Sequence, residues 1–99
     1  MNNFGKELRE LREETGVSLR AFAEKMGVSP TYISKIERGE FNPPAAKVIA
    51  KIAIELGKDP DLMALRAGKT PEWILTMLRE NPKSCIDALR GIASQGNKQ

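Results

Sequence analysis

Histidine is absent from this 99-residue chain, and cysteine occurs once, as Cys85. A structural zinc needs several Cys or His ligands at set spacing, and a disulfide framework needs paired cysteines. Both are excluded, unless two chains pair through Cys85. Aromatic residues are only 5% of the chain, and β-branched residues are scattered rather than clustered in alternating runs, which argues against a sheet. No apolar run approaches the length that crosses a bilayer, and the opening residues MNNFGKELRE have neither the basic nor the apolar region of a secretory signal. The expected location is therefore the cytoplasm, with no membrane partner. Without histidine, a nucleophile–base pair or a phosphate-cradling Gly loop, the chain is expected to be neither an enzyme nor a cofactor carrier. The adjacent carboxylates Glu13 and Glu14 face different ways on a helical wheel and read as surface.

What is present is helical grammar. The length suits one core without a deep cleft between domains. Phe4, Leu8, Leu11 and Thr15 form a stripe closed by Gly16, the first helix. Ser18 caps a second helix with Leu19, Phe22, Ala23 and Met26 on one face, ended by Gly27. Ser29 caps a third, with Pro30 at its first position and Gly39 past its end. A fourth carries Ala45, Val48, Ile49, Ile52, Ala53 and Leu56, and a fifth, opened by Asp59 and Pro60, carries Leu62, Met63 and Leu65. Two more follow, opened by Thr70 with Pro71 and by Asn81 with Pro82.

The third helix poses the functional question. Its apolar content is Ile33 and Ile36, with Tyr32 at the margin, and a helix this short is marginal alone. On a wheel, Thr31, Lys35 and Arg38 fall opposite the isoleucines, with Tyr32 and Ser34 flanking. Such a donor-rich cationic face suits the major groove, which admits one helix and displays base-edge donors and acceptors. The tight turn MGVS lets the second helix cross the DNA backbone while the third enters the groove. A net charge of +3 permits a polyanionic partner without demanding one.

The stretch GVSLRAFAEKMGVSPTYISKIERGE resembles the helix-turn-helix of the Cro/repressor, or XRE-like, family of bacterial and phage regulators, the likeness running over residues 4–67. The resemblance implies an all-α fold: a compact five-helix lambda-repressor-like domain over residues 1–68, with a two-helix C-terminal extension. It implies base reading by Pro30, Thr31, Tyr32 and Lys35, and an internal ion pair between Arg12 and Glu37. It departs from the family at Pro30, where a polar base reader is common, and at Leu19, where a glutamine often clamps the duplex. Phosphate contacts are expected from Ser18, Arg20, Ser34, Arg38 and Asn42. Lys47 and Lys51 read as a solvated face.

The extension over residues 69–94 is surplus to that domain. Its apolar residues Trp73, Ile74, Met77, Leu78, Ile86 and Leu89 are expected to form a dimer or partner interface, and residues 95–99 a flexible tail. The leading function is a sequence-specific reader of double-stranded DNA, repressing as a homodimer on an inverted repeat. The alternative is an antitoxin or anti-regulator whose hairpin grips another protein.

Overall fold

The computed structural model describes residues 3–96, which are helical with no strand among them. The helices are α1 (Phe4–Glu14), α2 (Leu19–Met26), α3 (Pro30–Glu37), α4 (Ala46–Glu55), α5 (Pro60–Arg66), α6 (Glu72–Glu80) and α7 (Pro82–Gly96). None is long and apolar enough to cross a membrane.

Short helices need defined ends, and the sequence supplies them. The Ser18 hydroxyl accepts from the Ala21 amide at 3.1 Å, and Ser29 accepts from Tyr32 at 3.1 Å. Asp59 accepts from Asp61 and Leu62 at 2.9 and 3.1 Å. Each cap satisfies amides that the first helical turn leaves unpaired.

The core draws on α1 to α5: Phe4, Leu8, Phe22, Ala23, Met26, Ile33, Ile36, Ile49, Ile52, Ala53, Leu56, Met63 and Ala64. Helix α3 packs against α1 and α2, and α4 packs against α2 and α5. The buried line of α1 is Phe4, Leu8 and Arg12, with Gly5 beside Phe4. Thr15, expected to extend that line, is exposed: α1 stops at Glu14, and the Thr15 hydroxyl turns back to donate to the Arg12 carbonyl at 2.7 Å. In α5, Met63 and Ala64 are buried whereas Leu62 and Leu65 are exposed, because a seven-residue helix lays only one narrow side on α4.

Gly5 is the one described glycine at which a side chain would meet a neighbouring helix. A Cβ placed there would lie 2.2 Å from the Ile36 carbonyl oxygen and 2.8 Å from that of Glu37. The N-terminus of α1 thus lies directly on the last turn of α3.

Helices α6 and α7 behave differently. They pack on each other, and none of their residues is fully buried. Pro71, expected as the first helical residue, is instead the N-cap, with an extended ψ of 147° and no side-chain cap. It is buried at the joint between α5 and α6. Beside it runs an open groove of about 690 Å³ between Ala45, Ala50 and Ala64 on one side and Trp73 on the other. The hairpin therefore projects, and the radius of gyration of 16.0 Å exceeds the roughly 13 Å of a compact chain this long. Gln95 and Gly96, expected in the tail, continue α7, whose backbone ladder carries through them; residues 97–99 of that expected tail lie outside the described residues.

Candidate nucleic-acid interface

The turn between α2 and α3 is built from backbone. Gly27 adopts φ 73° and ψ 29°, the left-handed conformation that closes a helix, and the Val28 amide reaches back to Ala23 at 3.0 Å. Val28 packs against the core and sets the angle at which α3 leaves α2. At the other end Gly39, with φ 76°, repeats the device: the Glu40 amide bonds to the Lys35 carbonyl at 2.9 Å.

Ile33 and Ile36 anchor α3, both essentially inaccessible. Outward from them Pro30, Thr31 and Arg38 are exposed, and Tyr32, Ser34 and Lys35 are half-buried. One helix face therefore carries a proline ring, two hydroxyls, a phenol and two cations. Ser18 and Arg20 are exposed at the start of α2, and Asn42 is exposed in the loop after α3. The Ser18 oxygen is engaged by Ala21, which leaves its O–H free to donate.

Arg38 is not free. Its Nε lies 2.9 Å from Glu40 Oε2, both side chains being half-exposed. Lys35 is not free either: its Nζ sits 5.6 Å from the centre of the Phe41 ring. Phe41 also meets Tyr32, with ring centres 6.0 Å apart and planes at 43°. As a lone aromatic between Glu40 and Asn42, Phe41 carries no periodic signal in the sequence, and its contacts with Tyr32 and Lys35 emerge only from the fold.

Leu19 packs against the core, so this position contributes packing where a glutamine would face a duplex. Lys51 is exposed as expected, and its Nζ also donates to the Met26 carbonyl at 3.2 Å, a cation at the carbonyl end of α2. Lys47 is exposed.

Arg12 and Glu37 join the far side of α3 to α1. Arg12 Nε donates to Glu37 Oε2 at 2.7 Å and Nη2 to Oε1 at 3.0 Å, while Nη1 donates to the Val17 carbonyl at 2.9 Å. The two side chains are only 10% and 6% exposed, so neither is available to a ligand. The hydrogen bond to Glu37 raises the Arg12 pKa above its ordinary value against the opposing effect of burial, and the charges of Glu37 and Glu13 add to the rise.

In the hairpin Trp73, Met77, Ile86 and Leu89 are exposed, with Leu75 and Ile92 adding to them. Ile74, Leu78 and Cys85 are half-buried. The Cys85 thiol faces the Met77 carbonyl at 3.6 Å.

Comparison with known proteins places this geometry. A family model described as helix-turn-helix matches residues 8–63, from α1 into α5. An uncharacterised HTH-type transcriptional regulator of Mycobacterium tuberculosis is 41% identical over 64 residues, 65% of this chain and 45% of that protein. The HTH-type transcriptional repressor RghR of Bacillus subtilis is 36% identical over 72 residues, 73% of this chain and 53% of its own length. The chain thus spans about half the length of these relatives. A crystal structure of SinR, the master regulator for biofilm formation, in complex with DNA superposes with a TM-score of 0.56 at 32% identity, over 61% of this chain and 95% of that one. With more than half its residues in the family match, the chain belongs to the XRE-like helix-turn-helix family of transcriptional regulators.

Proposed function

We propose that this chain is a sequence-specific reader of double-stranded DNA that represses transcription as a homodimer on an inverted-repeat operator. The observation that carries the reading is α3 itself: two isoleucines hold it, and every other side chain on its outward face is a donor, a cation or a small apolar contact. Lys35 donates to guanine O6 or N7, Thr31 bonds a base edge or packs on a thymine methyl, and Tyr32 and Pro30 supply apolar contact. Ser18, Arg20, Ser34, Arg38 and Asn42 hold the backbone and set register. The DNA complex of SinR and the repressor name of RghR support the assignment.

The dimer is assigned to the hairpin, so that residues 1–68 form the DNA-binding unit and residues 69–94 the dimerisation unit. Trp73, Leu75, Met77, Ile86, Leu89 and Ile92 are large apolar side chains left exposed in one small element, and a second copy is the occupant that also doubles the DNA contacts.

The test is selection of bound duplexes from a random pool at one fixed, near-physiological salt concentration. An inverted repeat with half-sites about one helical turn apart is expected. Recovery of unrelated sequences, with binding that collapses as salt rises, would refute sequence reading. Sedimentation of the full chain and of a variant carrying Ile86→Glu and Leu89→Glu should give a dimer and a monomer. A monomeric wild-type chain would assign the hairpin to a different protein.

A further inference from the structure

Resting on that reading, we infer that Phe41 is a positioning residue for base recognition: its ring holds the Lys35 ammonium and the Tyr32 ring as one preorganised group on the recognition face. Phe41 is outside the core and 42% exposed, so its place is not explained by burial. It follows the left-handed turn at Gly39, which folds the chain back over α3, and precedes Asn42, Pro43 and Pro44. Proline fixes its own φ and restricts the residue before it, so the loop on this side of Phe41 has few alternatives.

The geometry suits both contacts. The Lys35 nitrogen, 5.6 Å from the ring centre, lies within the range of about 6 Å over which an aromatic face attracts a cation. The 6.0 Å tilted contact with Tyr32 falls in the roughly 4.5–7 Å window of favourable aromatic pairs. A free lysine is a flexible stem whose rotamer freedom must be surrendered when it binds a base. Holding its head on Phe41 removes much of that freedom before DNA arrives. The base served is one offering clustered acceptors, guanine, reached by Lys35 while Phe41 stays behind it.

The experiment compares the full-length wild type with Phe41→Tyr, Phe41→Leu and Phe41→Ala in the random-pool selection at fixed salt. Tyrosine keeps the aromatic face, leucine keeps apolar bulk without it, and alanine removes both. The leucine and alanine variants should lose about two- to fivefold of the guanine preference at one position per half-site, the worth of an exposed cation–π contact, while the tyrosine variant retains it. A change in affinity without a change in base preference would overturn the inference, as would an unaltered motif in all variants; either leaves the proposed function standing. A wild type that enriches no motif would instead remove the proposed function and this inference with it. NMR of the DNA-free protein gives an independent reading: the Lys35 ε-methylene protons should be shifted upfield by the ring in the wild type and in Phe41→Tyr, and not in Phe41→Leu. Unshifted wild-type protons would overturn the inference irrespective of DNA.

Discussion

Glu37→Ala should destabilise the protein by about 3–5 kcal/mol, the cost of leaving one member of a buried ion pair without its partner. The structure gives the reason for the size. The Arg12 fork loses both Glu37 oxygens, at 2.7 and 3.0 Å, and keeps only the Val17 carbonyl, on a side chain that is 10% exposed. Arg12 cannot escape by deprotonating, because the hydrogen bond to Glu37 raises its pKa above an arginine value that is already strongly basic. Since that pKa is raised, the pair's stabilisation is fully present below the unfolded-state value and is lost only at strongly alkaline pH. Replacing both partners, Arg12→Met with Glu37→Leu, removes the charge and its desolvation together and should cost less than the single change. Each kcal/mol moves the midpoint of a domain this size by roughly 4–8 °C, so Glu37→Ala should lower it by well over 10 °C. Far-UV circular dichroism of the wild type, Arg12→Met, Glu37→Leu and the double variant, by heat and by urea, completes the double-mutant cycle. A coupling energy below about 0.5 kcal/mol, the usual scatter for independent sites, would refute the view that this pair clamps α1 to α3.

Other consequences follow from single contacts. Gly5→Ala gains up to about 1 kcal/mol of helix propensity, but its Cβ would meet the Ile36 carbonyl at 2.2 Å. The clash with backbone should win, giving a net loss of about 1–3 kcal/mol in urea denaturation; a stabilised variant would show that α1 moves freely. Glu40→Gln frees Arg38 from its 2.9 Å partner, so it should tighten binding to every duplex and steepen the salt dependence by about one phosphate contact. An unchanged salt slope, measured by fluorescence anisotropy, would mean that Arg38 does not reach the backbone. Truncation after Gly68 should yield a folded monomer with weaker operator binding; a dimer in sedimentation would move the interface to the first five helices. With no histidine in the chain, operator affinity should be flat between about pH 6 and 7; a titration with a midpoint near 6.5 would contradict this.

Much of this was legible in the sequence where the signal is local. The caps Ser18, Ser29 and Asp59, the stops at Gly27 and Gly39 and the stripe of α4 each announce themselves within a few residues. The partition of α3 into Ile33 and Ile36 inward and Thr31 and Arg38 outward follows from the helical repeat. What could not be read depends on contacts distant along the chain. Gly5 carries no local signal of its role, because its neighbour is a carbonyl 31 positions on. Lys51 is exposed as its place on the helix predicts, but the bond of its Nζ to the carbonyl end of α2, 25 positions back, has no signal in the sequence. Phe41 has no signal of its own in the sequence because its partners, Tyr32 and Lys35, lie on the preceding helix, and only the turn at Gly39 brings the ring back to them.

These distant contacts explain how so polar a helix is kept in place. An isolated helix of eight residues does not persist in water, and burial of Ile33 and Ile36 alone, at roughly 1.5–3 kcal/mol each, scarcely matches the backbone entropy of ordering it. The ends supply the rest. Ser29 fastens the first turn, while Glu37 is clamped by Arg12 and the Ile36 carbonyl lies against Gly5 at the last. None of these devices uses the outward face. Thr31 and Lys35 are therefore released from holding the helix, whereas Tyr32 packs against the core and Pro30 opens α3, and a change of Thr31 or Lys35 alters the surface offered to DNA while the supports of α3 stay intact. Such a division lets one scaffold carry many base preferences, since the positions that vary the reading are not the positions that hold the helix.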